Sequence, residues 1–276
     1  MGKYRLFAFD LDGTMLQPGG ILSQAAADAL EKAAGQGIEM VPATGRMKNF
    51  IPKSLTQLPF IRYAITSNGA GVYDLRTGGS LFSCLIPNAL AIQVLQMLEE
   101  YPVYVEFYTA GDAVTQQDNP QIAVEKYGFP PEKQMFLKKN YRLAASLPGF
   151  LAESGICPEK INLPYLRPEI RRELWQRLEA MGGLKLTSSV ADNLEINAEG
   201  CDKGAGLRGL CQSLGIDRSE TAAIGDNGND LAMLEYAGFS IAMGNATEEA
   251  KKIASAVAAP CQEDGAAQAI CDYILT

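Results

Sequence analysis

The chain has 276 residues, enough for one large domain or two modest ones with a full apolar core, and its composition, 47% hydrophobic and 20% charged, is that of an ordinary globular protein. Its 32 acidic side chains against 24 basic ones give a formal net charge of −8, which disfavours a non-specific grip on nucleic acid or anionic lipid and makes a small molecule the expected partner. Histidine is absent, which excludes Ser-His-Asp and Cys-His catalysis and nearly all catalytic zinc sites, and leaves acid–base chemistry to carboxylates, lysine, tyrosine or cysteine.

No apolar run approaches the roughly 18 to 20 residues of a membrane span, and no basic segment leads into a signal-type apolar stretch, so the expected location is the cytoplasm, away from membranes. Six cysteines, Cys84, Cys157, Cys201, Cys211, Cys261 and Cys271, are scattered without a CxxC pair. That pattern fits buried small apolar residues better than a disulfide framework or a zinc site.

Residues 4–9 (YRLFAF) read as a short buried strand ending at two aspartates, Asp10 and Asp12, in AFDLDGTM. Ser23 suits the N-cap of SQAAADALEKAAGQG, a run of helix formers that stops at Gly35 or Gly37. IEMVPATGR is a second strand running into Thr44, Gly45 and Arg46, and YAITSNGA (63–70) repeats the form, with Asn68 after its strand. Strand, helix, strand, helix is the grammar of a doubly wound parallel sheet, which binds ligands at the carboxyl ends of its strands. Asp10, Thr44 and Asn68 fall at such ends.

The middle of the chain differs. After a helix over about 88–100, VYVEFYTAG alternates: Val103, Val105 and Phe107 on one face, Tyr104, Glu106 and Tyr108 on the other. INLPYL (161–166) reads as a strand, and PEIRRELWQRLEAMGG as a helix from Pro168 to Gly182 with Trp175 in its core stripe beside Leu174 and Leu178. LKLTSSVADNLEINA reads as two strands around a turn at Ala191 to Asn193. Alternation with one wet face predicts an antiparallel sheet with helices on one side.

The parallel grammar returns near residue 200, with a helix opening around Lys203, a strand TAAIGD ending at Asp226, a helix NDLAMLEYAG, a strand FSIAMG and a final helix DGAAQAICDYI. The expected fold is therefore α/β: a doubly wound, Rossmann-like parallel-sheet core over 1–82 and 191–276, with a smaller α+β domain inserted over 83–190.

The strand and helix ends carry Asp10, Asp12, Thr44, Lys203, and, in GDNGND, Asp226, Asn229 and Asp230. An isolated aspartate near a turn is ordinarily a cap or a solvated residue. In one parallel sheet, however, these ends converge on one crevice, and two carboxylates about 4 Å apart repel by roughly 1 kcal/mol even in water and by several times that in a cleft. A hard divalent cation answers that repulsion, and Mg²⁺, which commonly bridges one or two carboxylates to a phosphate, fits best. Lys203 suits a phosphate oxygen, and Thr44 offers a hydroxyl beside a glycine-containing turn.

At this point the chain resembles the haloacid dehalogenase superfamily, in particular its Cof-type phosphatases with an inserted α/β cap. FDLDGTM, ATGR, SNGA, CDKGAGL, GDNGND and IAMGNA stand in the family's order and span nearly the whole chain. Met15 stands where the family commonly has an aliphatic residue, and AAPCQEDGAAQAI follows the usual tail only loosely.

The resemblance implies a Mg²⁺-dependent phosphatase acting on a small phosphorylated metabolite. It makes Asp10 the nucleophile and Asp12 the acid that protonates the leaving oxygen and then the base that deprotonates water. Two carboxylates with different tasks in turn account for the paired aspartates. It also assigns Mg²⁺ to the Asp10 carboxylate, the Asp12 main-chain carbonyl and Asp226, with Asn229 and Asp230 in support, and the phosphoryl oxygens to Thr44 and Lys203. An inserted cap is where the resemblance places substrate selectivity.

Other positions weigh less. Arg46, and Gly45 beside it, could reach phosphate, yet Arg46 could equally pair with a neighbouring acid. Asn68 and Asn245 match family positions near the pocket, with turn-forming asparagine as the plain alternative. Tyr104, Glu106 and Tyr108 share one strand face of the inserted domain that could look onto substrate, but they read best as the wet face of a half-buried sheet. Two other functions use the same constellation: a phosphomutase of the phosphomannomutase type, and a non-hydrolytic phosphoacceptor or metabolite-binding module. Asp12, Thr44 and Lys203 with an inserted domain argue for turnover over the binding module, a receiver of that kind being a single domain of roughly half this length or less, while release of inorganic phosphate to water is what separates a phosphatase from a mutase.

Overall fold

The computed structural model describes residues 3–127, 131–190 and 192–275. In chain order its strands are β1 (Leu6–Phe9), β2 (Glu39–Pro42), β3 (Tyr63–Thr66), β4 (Gly71–Asp74), β5 (Ser80–Ser83), β6 (Glu106–Thr109) and β7 (Asp112–Gln116). They continue as β8 (Tyr141–Ala144), β9 (Lys160–Leu163), β10 (Leu184–Thr187), β11 (Leu194–Ala198), β12 (Thr221–Gly225), β13 (Phe239–Ala242) and β14 (Ala256–Val257). The chain divides into two compact units, one running up to Ser83 and resuming at Asp202, the other spanning Cys84–Cys201.

The first unit holds a five-stranded sheet in the order β14-β13-β12-β1-β2, with every neighbouring pair parallel. Its central strands LFAF and TAAIG are buried at every residue, as expected of a sheet covered on both faces. The covering helices form for local reasons. Ser23 accepts from the Ala26 amide and starts Gln24–Gly35; Asp202 accepts from the Ala205 amide and starts Lys203–Leu214, which stops at Gly215 in the left-handed conformation. Lys203–Leu214 packs against Leu231–Tyr236, and Gly204 permits it, because a Cβ there would sit 2.4 Å from the Ala232 carbonyl oxygen.

YAIT does not extend the parallel sheet as a full strand. It touches β2 through a single parallel bridge, Ala43 to Ile65, and then opens an antiparallel meander β3-β4-β5.

The second unit is a six-stranded sheet in the order β10-β11-β9-β6-β7-β8, antiparallel except for β7 with β8. β11 pairs with β9 and β10, so the second crossing falls after Cys201 and not at 190; the first falls after Ser83. Ala191, at the expected turn and boundary, lies outside the described residues.

The expected wet face is a second correction. Tyr104, Glu106 and Tyr108 are all buried, and polar groups on β9 and β11 join them on the same face. Glu106 accepts from the Tyr108 hydroxyl and the Asn162 amide, both at 2.8 Å, and Lys160 pairs with Glu195 at 2.7 Å. Trp175 is half-buried, with the Arg171 guanidinium 5.3 Å from its ring centre, while Leu174 and Leu178 fill the core. Of the six free cysteines only Cys201, Cys211 and Cys261 are buried; Cys271 is exposed. Among the described residues no helix is long and apolar enough to cross a membrane.

Candidate active site

The parallel register of the first unit puts the residues after β1, β2 and β12 at one edge of the sheet. Asp10 follows β1 directly, with its amide donating to the Ile224 carbonyl at 3.0 Å, and is only 6% exposed. The chain then turns sharply at Gly13, whose φ is +87° and where a Cβ would stand 2.6 Å from Asp226 Oδ2. Asp226 follows β12 and accepts from the Thr14 hydroxyl at 3.1 Å. Asn245 ties the same turn to a third loop, donating to the Gly13 carbonyl and accepting from the Cys261 amide.

Lys203, the first residue of its helix, is fully buried and its ammonium is shared: Nζ donates to Asp10 Oδ1 at 2.5 Å and to Asp230 Oδ1 at 2.6 Å. The other Asp230 oxygen accepts from the amides of Asp226 and Asn227, both at 3.0 Å, which closes the GDNGND turn on itself. Carboxylate oxygens of Asp10, Asp226 and Asp230 all lie within 4.8 Å of one another. With all three carboxyls ionised, the cluster and its one ammonium carry a formal charge of −2, Asp10 and Asp230 being buried and Asp226 half-buried. Burial raises the Asp10 carboxyl well above its ordinary range, and Asp230 and Asp226 push the same way against Lys203. Asp226 is pushed up to about 6, first by burial and then by Asp230. Lys203 is held above its ordinary value, because Asp10 and Asp230 outweigh the burial that alone would lower it.

Thr44 is buried after β2. Its amide donates to the Ile65 carbonyl, its carbonyl accepts from the Asn68 amide, and its hydroxyl oxygen accepts from the Arg46 amide at 3.1 Å. The facing loop is strained: Ser67, Asn68 and Gly69 all have positive φ, at 52°, 59° and 95°. Arg46 forms a two-pronged pair with Asp12, Nε to Oδ2 at 2.8 Å and Nη2 to Oδ1 at 2.5 Å.

Residues 7–270 match the sequence profile of the haloacid dehalogenase-like hydrolases. The chain belongs to that family. It is 32% identical to phosphatase YwpJ of Bacillus subtilis, over 95% of this chain and 97% of that protein. It is 28% identical to pyridoxal phosphate phosphatase YbhA of Escherichia coli, over 98% and 99% respectively. Among solved structures, a haloacid dehalogenase-like hydrolase from B. subtilis superposes with a TM-score of 0.83 at 29% identity, over 98% of this chain and 99% of that one.

In this haloacid dehalogenase-like hydrolase, then, Asp10, Lys203, Asp226 and Asp230 form one bonded cluster. Thr44, Arg46 and Asp12 form a second chain of contacts, with Gly45 inside its turn. Asn68 accepts from the Asn229 side chain at 3.3 Å, which links two loops. Asn245 acts here as a tie between loops. Tyr104, Glu106 and Tyr108 belong to the second unit. Sequence reading passed over Thr14, which stood inside FDLDGTM and could have been picked out as the hydroxyl nearest the paired aspartates. It also passed over Ser67, whose left-handed backbone leaves no mark in composition.

Proposed function

We propose that this hydrolase is a Mg²⁺-dependent phosphatase that removes phosphate from small phosphorylated metabolites through an aspartyl phosphate on Asp10, acting in the cytoplasm. The observation that carries the reading is the buried cluster: a carboxylate at a strand end, a shared ammonium, and an excess of two negative charges within one small volume. The donors are hard oxygens with no thiol or imidazole among them, which suits Mg²⁺. Asp10, Asp226 and the Asp12 main-chain carbonyl would hold it, with Asn229 and Asp230 bracing the loop. When bound, the ion supplies Lewis-acid polarisation and charge balance at the phosphoryl group.

The protein's own groups do the rest. An Asp10 carboxylate oxygen attacks phosphorus, the bond to the leaving oxygen breaks, and Asp12 gives that oxygen a proton. Water then attacks the aspartyl phosphate while Asp12 takes a proton from it; inorganic phosphate leaves and Asp10 is restored. Lys203 spends two of its three N–H donors on Asp10 and Asp230, which leaves one for a phosphoryl oxygen. The Thr44 hydroxyl oxygen accepts from Arg46, so its proton is available to another phosphoryl oxygen. YbhA, named for pyridoxal phosphate, supports a small phosphorylated metabolite as the substrate class. Free thiols at all six cysteines fit a reducing compartment.

The test is inorganic phosphate release from a panel of phosphorylated metabolites, with Mg²⁺ and with chelator, for the wild type and Asp10→Asn. Metal-dependent release that the variant lacks supports the reading. Folded protein that releases none, or that returns an isomeric phosphate ester in place of free phosphate, overturns it.

A further inference from the structure

The second unit contains a cavity of about 300 Å³, a volume at the lower end of small-molecule pockets. Its walls are apolar: Leu95 and Leu98 from the helix Asn88–Leu98, Leu147 and Pro148 from the helix Leu147–Ser154, and Val103 and Val105 from the segment that leads into β6. Asn119, the first residue of the helix Asn119–Tyr127, also lines it and is only 7% exposed. Its Nδ2 donates to the Val105 carbonyl at 3.1 Å and to the Thr115 hydroxyl at 2.8 Å. A carbonyl can only accept, so the amide cannot be turned round, and both of its N–H bonds are spent. What Asn119 has left for the cavity is Oδ1, which accepts from nothing among the described residues. Glu99 stands on the exposed side of the same cavity, and its carboxylate likewise has no partner among the described residues. The Tyr101 hydroxyl, by contrast, is engaged: it donates to Glu173 and accepts from Arg177, both at 2.6 Å. Among the described residues no lysine or arginine lines the cavity.

We propose that this cavity is a binding site for a small amphipathic amine, its apolar body among the leucines and valines and its ammonium at Asn119 Oδ1 and Glu99. The polar chemistry of the lining selects that class. A purely apolar ligand would cover Oδ1 and leave it unpaired, which is unfavourable. An anion would meet like charge at Glu99 and no counter-charge. A primary ammonium brings three N–H donors and the opposite charge to two acceptors that lack donors. The site lies wholly within the second unit and does not depend on the phosphatase reading.

The experiment is isothermal titration calorimetry of the full chain with 2-phenylethylammonium at millimolar concentration, with 2-phenylethanol and 3-phenylpropanoate as the uncharged and anionic probes of like size. The expected result is one amine bound per chain, weaker binding of the alcohol, which has one donor and no charge, and none of the carboxylate. Asn119→Ala removes the buried acceptor and should weaken the amine by on the order of tenfold. The Val105 carbonyl keeps the Thr115 hydroxyl as a donor at 2.8 Å, so this change does not leave it unpaired. Glu99→Gln, at an exposed position, should weaken the amine by about threefold. Val103→Phe, on the half-buried wall, fills the space and should abolish binding. Should Asn119→Ala not fold, Glu99→Gln and Val103→Phe carry the test. No binding of the amine by the wild type, equal binding of the carboxylate, or amine binding that both Glu99→Gln and Val103→Phe leave unchanged would overturn the proposal.

Discussion

The Lys203 ammonium and the Asp230 carboxylate lie 2.6 Å apart with both side chains completely buried, so neither has water to fall back on. Asp230 also closes its own turn by accepting from two amides. Replacing it by alanine removes a partner of the buried ammonium and the acceptor of both amides together. Asp230→Ala is expected to lose about 3–5 kcal/mol of unfolding free energy, as for other buried pairs broken on one side, with activity lost as well. Urea unfolding of the two proteins measures it; a change below about 1 kcal/mol would contradict the buried geometry.

The same cluster sets a pH dependence. A carboxyl whose pKa is raised on folding binds more protons in the folded than in the unfolded chain between its two values, so its contribution to stability falls as pH rises through that window. For Asp226 the window runs from the ordinary 3.8 to about 6, and Asp10 acts in the same direction. A cation favours the ionised forms, so added Mg²⁺ should raise the melting temperature more at pH 7 than at pH 5. Equal shifts at the two pH values, measured against a chelator control, would count against the carboxylates as its ligands.

Gly13 is a point where one methyl group matters. At φ +87°, with Asp226 Oδ2 2.6 Å from the position of a Cβ, Gly13→Ala pays for the backbone and also displaces the carboxylate. The expected outcome is weaker Mg²⁺ dependence of activity, with the concentration for half-maximal rate raised by on the order of tenfold, about 1.4 kcal/mol in binding. A Mg²⁺ titration of phosphate release decides it.

In the second unit, Lys160→Met removes the ammonium from Glu195 inside a buried sheet face. The loss should be about 3–5 kcal/mol, and Lys160→Met with Glu195→Leu should recover most of it, because the desolvation of both charges disappears together. Thermal melts of the single and double variants separate this from a simple packing loss, which the double variant would only deepen.

Asp10, Asp12, Thr44, Lys203, Asp226 and Asp230 were legible in the chain because their signals are local: apolar runs that stop at polar residues, a helix start at Lys203, and a grammar of alternating strands and helices that sends strand ends to one edge. Other features depended on residues far apart in sequence. The sharing of Lys203 between Asp10 and Asp230 spans 193 and 27 positions, and the Arg46 fork on Asp12 spans 34. The burial of Glu106 and Tyr108 could not be read from alternation, since period-two spacing separates the faces of a strand without saying what covers either one. The assignment of β11 to the second sheet was likewise a matter of pairing with β9 and β10, and the left-handed turn at Ser67–Gly69 of tertiary restraint. Sequence alone determined which polar groups stand at strand and helix ends and on which elements; the three-dimensional packing decided which charges share a counter-ion and which are buried, because both depend on distances that no local pattern encodes.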